Sequence, residues 1–108
     1  MMDGAKYYEC HITIEPVEVS ELYKLDHVLE PFGFKRANLL MQKNRNETPE
    51  RSDKDTFCTG HSKEYDDIFD RMQQASGQLK SFGFKIWRKK IEAILYDERI
   101  QPKYLRNK

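Results

Sequence analysis

The amino-acid sequence predicts a single α+β domain, and three observations lead to this prediction. The chain has 108 residues, the usual size of one domain with one hydrophobic core. Apolar residues recur at every second position in some segments, as in a strand, and at helical spacing in others. These segments follow one another in the order strand, helix, strand, strand, helix, strand. The sequence Phe-Gly-Phe-Lys occurs at 32–35 and again at 82–85, each time between a predicted helix and a predicted strand. The repeat indicates two related halves.

Composition indicates a folded domain with a heavily solvated surface. The chain is 38% hydrophobic, which is too apolar for a disordered segment, and 34% charged. The 19 Lys and Arg residues nearly balance the 18 Asp and Glu residues, for a net charge of +1. A protein with balanced charges does not have the broad positive potential that sequence-independent nucleic-acid binding requires. We therefore expect any anion site to be local.

A half-buried strand is predicted over residues 6–15, and Pro16 ends it. The side of this strand that would face the core carries Tyr8, Cys10, Ile12 and Ile14. An amphipathic helix follows, because apolar residues recur at helical spacing over 22–29. Ser20 is its predicted cap and Gly33 its predicted end.

A second strand is predicted over residues 34–42. Its apolar positions in phase are Ala37, Leu39 and Met41. Residues 43–55 contain Pro49 and almost no apolar side chain, which predicts a long solvated loop. A short third strand is predicted over 56–60.

The clearest helix follows Ser62, which we predict to cap it. Its apolar face carries Tyr65, Ile68, Phe69, Met72, Ala75 and Leu79. The helix ends near Gly83. Residues 85–96 alternate well enough to predict a long last strand, although their lysines and β-branched residues would also suit a helix. On one face this strand would carry Trp87, Ile91, Ala93 and Leu95, and on the other Ile86, Arg88, Lys90 and Glu92.

The element order and the repeat together predict a ferredoxin-like plait, a four-stranded antiparallel sheet with two helices on one face. Gly33 in the first half and Gly83 in the second would each end a helix with a residue of positive φ, in the left-handed conformation. We expect one domain over 1–108, with an ordered core at about 6–97 and a basic tail at 98–108. The predicted core consists of Tyr8, Cys10, Ile12, Ile14, Leu22, Leu25, Leu29, Leu39, Met41, Ile68, Phe69, Met72, Leu79, Trp87 and Ile91.

The face of the sheet without helices carries the candidate chemistry. Since the first and last strands of a plait are neighbours, alternation puts His11 and Thr13 on the same face as Arg88 and Lys90. A guanidinium, an ammonium, an imidazole and a hydroxyl together suit a phosphate or a carboxylate. We predict these four as ligand-binding residues. The alternative is an ordinary solvated face with cross-strand charge pairs such as Glu9 with Arg88.

His11-Ile12-Thr13 has the form H-x-T within a predicted strand. In this it resembles the two-histidine phosphoesterases, which carry such a motif in each half of a duplicated fold. His61 follows His11 by the same 50 residues that separate the two repeats. The family pattern has Ser or Thr two residues after the second histidine, whereas this chain has Lys63. The resemblance implies that His11 and His61 act as general base and acid while Thr13 holds the phosphate oxygens.

RNA-recognition domains share the same order of elements and stack bases on aromatic side chains. Tyr7 and Phe57 would be the stacking residues here, but the third strand lacks the aromatic-rich run of that class. We therefore do not expect nucleic acid as a partner. No metal-ligand spacing and no phosphate-binding glycine loop is present, so we predict no metal site and no cofactor.

The two cysteines, Cys10 and Cys58, are far apart in apolar segments, which predicts buried free thiols in a reducing compartment. No segment has the layout of a signal peptide or the length of a membrane span, so we expect a cytoplasmic protein without a membrane partner. We predict a binding or self-association module whose partner at the open face is a second copy of the chain or a phosphate-bearing small molecule. The phosphoesterase is the alternative.

Overall fold

A computed structural model describes residues 4–37 and 56–96 of the chain. The predicted loop at 43–55 and tail at 98–108 lie outside the described residues, as do Leu39 and Met41. The strands and helices are β1 (Tyr7–Ile14), α1 (Leu22–Leu29), β2 (Lys35–Arg36), β3 (Thr56–Ser62), α2 (Tyr65–Ser81) and β4 (Ile86–Ile94).

The four strands form one antiparallel sheet in the order β2-β3-β1-β4. The two central strands, β1 and β3, begin the two halves of the chain, and β4 lies beside β1 as predicted. The fold is therefore α+β with a four-stranded antiparallel sheet and two helices, which is compatible with a ferredoxin-like plait.

Both helices contribute to one hydrophobic cluster with the apolar side of β1. Cys10 and Ile12 of β1, Leu29 of α1, and Ile68 and Leu79 of α2 are all fully buried in this cluster. Each such aliphatic side chain contributes roughly 1.5–3 kcal/mol when it is removed from water. Because one side of the sheet is covered in this way, the polar side of β1 is on the opposite, open face.

The repeated glycines end their helices in the way the sequence predicts. Gly33 has a φ of 76° and Gly83 a φ of 90°, both in the left-handed region. The next amide in each copy, that of Phe34 or Phe84, donates to the carbonyl of the leucine five residues earlier, at 3.3 Å and 2.9 Å. Both phenylalanine side chains are buried. The prediction of two equivalent left-handed termini is confirmed.

The starts of the helices differ from the prediction. Ser20 lies inside a 3₁₀ turn before α1 and does not cap it. Ser62 is the last residue of β3, so this strand is two residues longer than predicted and includes His61. The Ser62 hydroxyl still organises the start of α2, since it accepts a hydrogen bond from the Glu64 amide at 3.0 Å. It also donates to Asp67, and together with Arg71 it holds the pKa of that carboxyl below its usual 3.8.

A β-bulge in β4 changes which residues face the core. Thr13 pairs with Arg88 and Ile14 with Ile86, so Trp87 is an extra residue between two paired positions. Uninterrupted alternation wrongly assigned Ile86 to the open face, whereas it packs against the core. Trp87 is only half-buried and lies outside the core cluster.

Three other predicted core positions also differ. Phe69 is 42% exposed, and Leu22 and Ile91 are only partly buried against the cluster. Among the described residues of the second predicted strand, Phe34 is buried, whereas Ala37, which is out of phase with it, is exposed. Within residues 4–37 and 56–96, neither helix combines the length and the apolar character that a membrane crossing requires.

Candidate functional site

The open face of the sheet presents three rows of side chains, each centred on one residue of β1. The middle residue of each row pairs directly with β3 on one side and with β4 on the other. The rows are His61-Glu9-Glu92, Thr59-His11-Lys90 and Phe57-Thr13-Arg88. The first row is acidic, the last two are basic, and His11 lies where they meet.

A concavity of about 300 Å³ lies at the basic end of this face. Its walls are formed by His11, Thr13, Ala37, Phe57, Thr59, Arg88 and Lys90. The four residues predicted to bind a ligand, His11, Thr13, Arg88 and Lys90, are thus in the wall of one concavity. Within 4–37 and 56–96, the Arg88 guanidinium has no ion-pair partner. Lys90 lies close to an acidic neighbour, its Nζ being 3.4 Å from Glu92 Oε2.

His11 connects the two ends of the face. Its Nδ1 lies 3.1 Å from the hydroxyl of Thr59. Its Nε2 lies 3.5 Å from Glu9 Oε1 and 3.5 Å from Glu92 Oε1. The ring is half-buried, with 25% of the side chain exposed, so these contacts are only partly screened by water.

The acidic row holds two carboxylates directly opposite each other on neighbouring strands, Glu9 and Glu92. Like charges in this position repel, so a nearby cation would stabilise the pair. His61 Nε2 lies 3.1 Å from Glu9 Oε2, and since a carboxylate only accepts, the imidazole is the donor. Donor atoms of Glu9, His11 and Glu92 all lie within 4.8 Å of one another, which is close enough to share a metal ion.

The structure brings His11 and His61, the two histidines of the phosphoesterase hypothesis, onto one face. They contact different oxygens of the same Glu9 carboxylate. His61 is outside the wall of the concavity, and the position after Ser62 is still Lys63. A phosphate placed between the two rings would meet the negative charge of Glu9.

The two thiols are unsuited to nucleophilic chemistry. Cys10 and Cys58 are buried and free, as predicted. Burial raises the pKa of Cys10 to about 11 and that of Cys58 to about 12. Both therefore remain protonated at neutral pH, and the thiolate is the reactive form.

The sequence reasoning placed Glu9 and Glu92 on the open face, but it gave them no role beyond charge pairing. It also missed Thr59. Side-chain alternation along β3 could have assigned Thr59 to this face as well. Only the register between strands shows that these three residues surround His11.

Comparison of the chain with protein-family models, with curated proteins and with solved structures gives no match.

Proposed function

We propose that this protein is a binding module of the ferredoxin-like plait type and that its open face binds a phosphate-bearing small molecule. The observation that carries the proposal is the Arg88 guanidinium, which lacks an ion-pair partner among the described residues. It lies in the wall of the same concavity as His11, Thr13 and Lys90. An arginine without an internal carboxylate partner is available to an external anion.

The chemistry of the wall fits a phosphate group. The planar guanidinium of Arg88 can donate two parallel hydrogen bonds to phosphate oxygens, and Lys90 adds a second positive charge. The hydroxyl of Thr13 is a further donor near the sheet surface. Strands β1 and β4 carry all four groups in adjoining rows of one sheet, which positions their backbones around the concavity.

One side of the concavity is apolar. Phe57 has 42% of its surface exposed, and Ala37 lies beside it in the same wall. An exposed aromatic ring next to cationic groups suits a ligand that has an organic part as well as a phosphate. We therefore favour an organic phosphate, such as a nucleoside monophosphate, over inorganic phosphate.

The fold and the location are part of the same proposal. The strand order with β1 and β3 in the centre, together with the two equivalent glycine termini, supports the plait. The free thiols of Cys10 and Cys58 support a reducing compartment, for which we propose the cytoplasm.

The proposal is tested by thermal unfolding and calorimetry with AMP and with inorganic phosphate. A ligand at 100 times its Kd should stabilise the fold by about 2.7 kcal/mol. Arg88→Ala should remove this stabilisation. Lys80→Ala is the matched control, since it removes one positive charge from an exposed position on α2.

If Arg88→Ala and Lys80→Ala bind AMP as the wild type does, the site is not at Arg88 and the proposal fails. Sedimentation velocity in the same buffers examines self-association. A dimer formed through the open face would cover Arg88, so AMP should dissociate it. A dimer that persists in saturating AMP uses another surface.

The two-histidine phosphoesterase is a second candidate, favoured by the presence of His11, Thr13 and His61 on one face. Its test is hydrolysis of a phosphodiester. General acid and base catalysis requires that His11→Ala and His61→Ala each reduce the rate by about 10²-fold or more. The absence of hydrolysis in the wild type would exclude it.

A further inference from the structure

We propose that Glu9, His11 and Glu92 bind a divalent transition-metal ion, Mn²⁺ or Zn²⁺, at the acidic end of the open face. This inference does not depend on phosphate binding, because its two carboxylates, Glu9 and Glu92, lie outside the wall of the concavity. It does share one residue, His11, with the concavity.

The distances between the donor atoms fit a metal ion. His11 Nε2 lies 3.5 Å from Glu9 Oε1 and from Glu92 Oε1. In a tetrahedral site with metal–ligand bonds of about 2.1 Å, neighbouring donor atoms are about 3.4 Å apart. The two edges that meet at His11 therefore need almost no rearrangement. The third edge is no longer than 4.8 Å, and a small rotation of the exposed Glu92 carboxylate can shorten it.

Each of the three ligands directs one atom at the common centre, while a neighbour holds its other polar atom. The outer oxygen of Glu9 accepts from His61 at 3.1 Å. The outer oxygen of Glu92 lies 3.4 Å from Lys90 Nζ. The outer nitrogen of His11, Nδ1, lies 3.1 Å from the Thr59 hydroxyl and can donate to it. Partners of this kind orient metal ligands and fix the tautomer of a ligating imidazole, here leaving the Nε2 lone pair for the metal.

The negative charges of Glu9 and Glu92 also favour a cation between these two side chains and His11. Glu9 and Glu92 are direct cross-strand partners, and a neutral His11 presents a lone pair to both. Lys90 and His61 contact only the outer oxygens, so the lone pairs of the inner oxygens stay available to a metal ion. A metal ion would satisfy all three inner atoms at once. A protonated His11 would satisfy the two carboxylates instead, and the experiment must distinguish these states.

The donor set indicates the class of metal. Mg²⁺ and Ca²⁺ favour ligands that are all oxygen, whereas an imidazole with carboxylates suits Mn²⁺, Fe²⁺ or Zn²⁺. Three protein ligands leave at least one position for water or for an anion. Since His11 also lies in the wall of the concavity, that position is next to the proposed phosphate site.

The test is calorimetry of the full chain with ZnCl₂ and with MnCl₂, in a buffer without phosphate. We expect one site. His11→Ala and Glu92→Gln should each weaken binding by at least 100-fold, and His61→Ala, which removes only an orienting partner, by about 10-fold. Glu18→Gln is the matched control, because it neutralises an exposed carboxylate that lies outside the sheet, in the connection between β1 and α1. Circular dichroism of each variant checks that the fold is intact.

NMR separates a metal from a proton at His11. In the wild type, Mn²⁺ should broaden the ring signals of His11 more strongly than those of His27, which lies on α1. Equal broadening of both, or equal affinity of Glu92→Gln and the wild type, would overturn the proposal. Arg88→Ala should keep its metal affinity, so this proposal and the proposed function can fail separately.

Discussion

Alanine substitution at the two repeat glycines should cost different amounts of stability, although the two residues occupy equivalent places. Gly33 and Gly83 have φ angles of 76° and 90°. A side chain in this left-handed region costs roughly 1–2 kcal/mol, since its Cβ crowds the following carbonyl oxygen. This backbone cost applies to both positions.

The surroundings of the added methyl group differ. A Cβ at Gly83 would have no other atom within 4 Å, whereas a Cβ at Gly33 would lie 2.7 Å from Arg71 Nη1. The Arg71 guanidinium donates to the carbonyl oxygen of Phe32 at 2.8 Å and to that of His61. It therefore ties the end of α1 to β3. Moving it away from the methyl group would break at least one of these bonds.

The expected magnitudes follow from this difference. A hydrogen bond from a charged donor contributes about 1.5–3 kcal/mol when one partner is part-buried. Gly83→Ala should therefore cost about 1–2 kcal/mol and Gly33→Ala about 3–5 kcal/mol. Urea denaturation followed by circular dichroism measures both values directly.

A double-mutant cycle with Arg71→Ala identifies the cause of the extra cost. Once Arg71 is truncated, the methyl group at position 33 meets no guanidinium, so Gly33→Ala should cost no more than Gly83→Ala. Equal costs of the two glycine substitutions in the wild-type background would refute the reasoning. So would an extra cost at Gly33 that survives the loss of Arg71.

Two further substitutions examine the packing of α2. Phe69→Ala should lower the free energy of unfolding by about 1 kcal/mol, because Phe69 is 42% exposed and stacks on Tyr65. Ile68→Ala, at a fully buried position, should lower it by about 2–5 kcal/mol. Similar costs of the two substitutions in chemical denaturation would show that Phe69 is a core residue. Ser76→Ala should raise the stability by about 1 kcal/mol, since the buried Ser76 hydroxyl has no hydrogen-bond partner among the described residues and alanine favours the helix. A lower melting temperature for Ser76→Ala would mean that the hydroxyl is in fact bonded.

Much of the fold could be predicted, because in each correctly predicted segment a single physical constraint determined the structure. β1 has one buried and one open side, so its alternation directly gives the face of Cys10 and Ile12. Gly33 and Gly83 each follow a helical pattern and precede a phenylalanine, which leaves little choice but a left-handed terminus.

The errors occurred where a local pattern allowed more than one answer. Phe69 is one helical step of 100° from Ile68 and lies at the edge of the apolar stripe of α2, so periodicity could not decide its burial. In β4, a single bulge at Trp87 moved Ile86 to the other face. A bulge has no signature in this segment, and a slip of one residue reverses every assignment beyond it.

The residues of the candidate site could likewise be predicted only in part from local patterns. Alternation alone put His11, Thr13, Arg88 and Lys90 on one face, and all four line one concavity. It could not bring Glu92 and His61 to Glu9, because those contacts depend on the register of strands that are distant in sequence. A cluster that combines Glu9 and His11 of β1 with Glu92 of the distant β4 has no complete spacing motif in the sequence.

The two proposed sites on the open face adjoin each other, so a ligand at one would affect binding at the other. The acidic row and the basic concavity meet at His11, which contacts Glu9 and Glu92 through Nε2 and lies in the wall beside Arg88. A metal ion on the acidic row would offset the negative charges of Glu9 and Glu92 and so strengthen the positive potential at the concavity. Because coupling between two sites is reciprocal, each ligand would then raise the affinity for the other by the same factor.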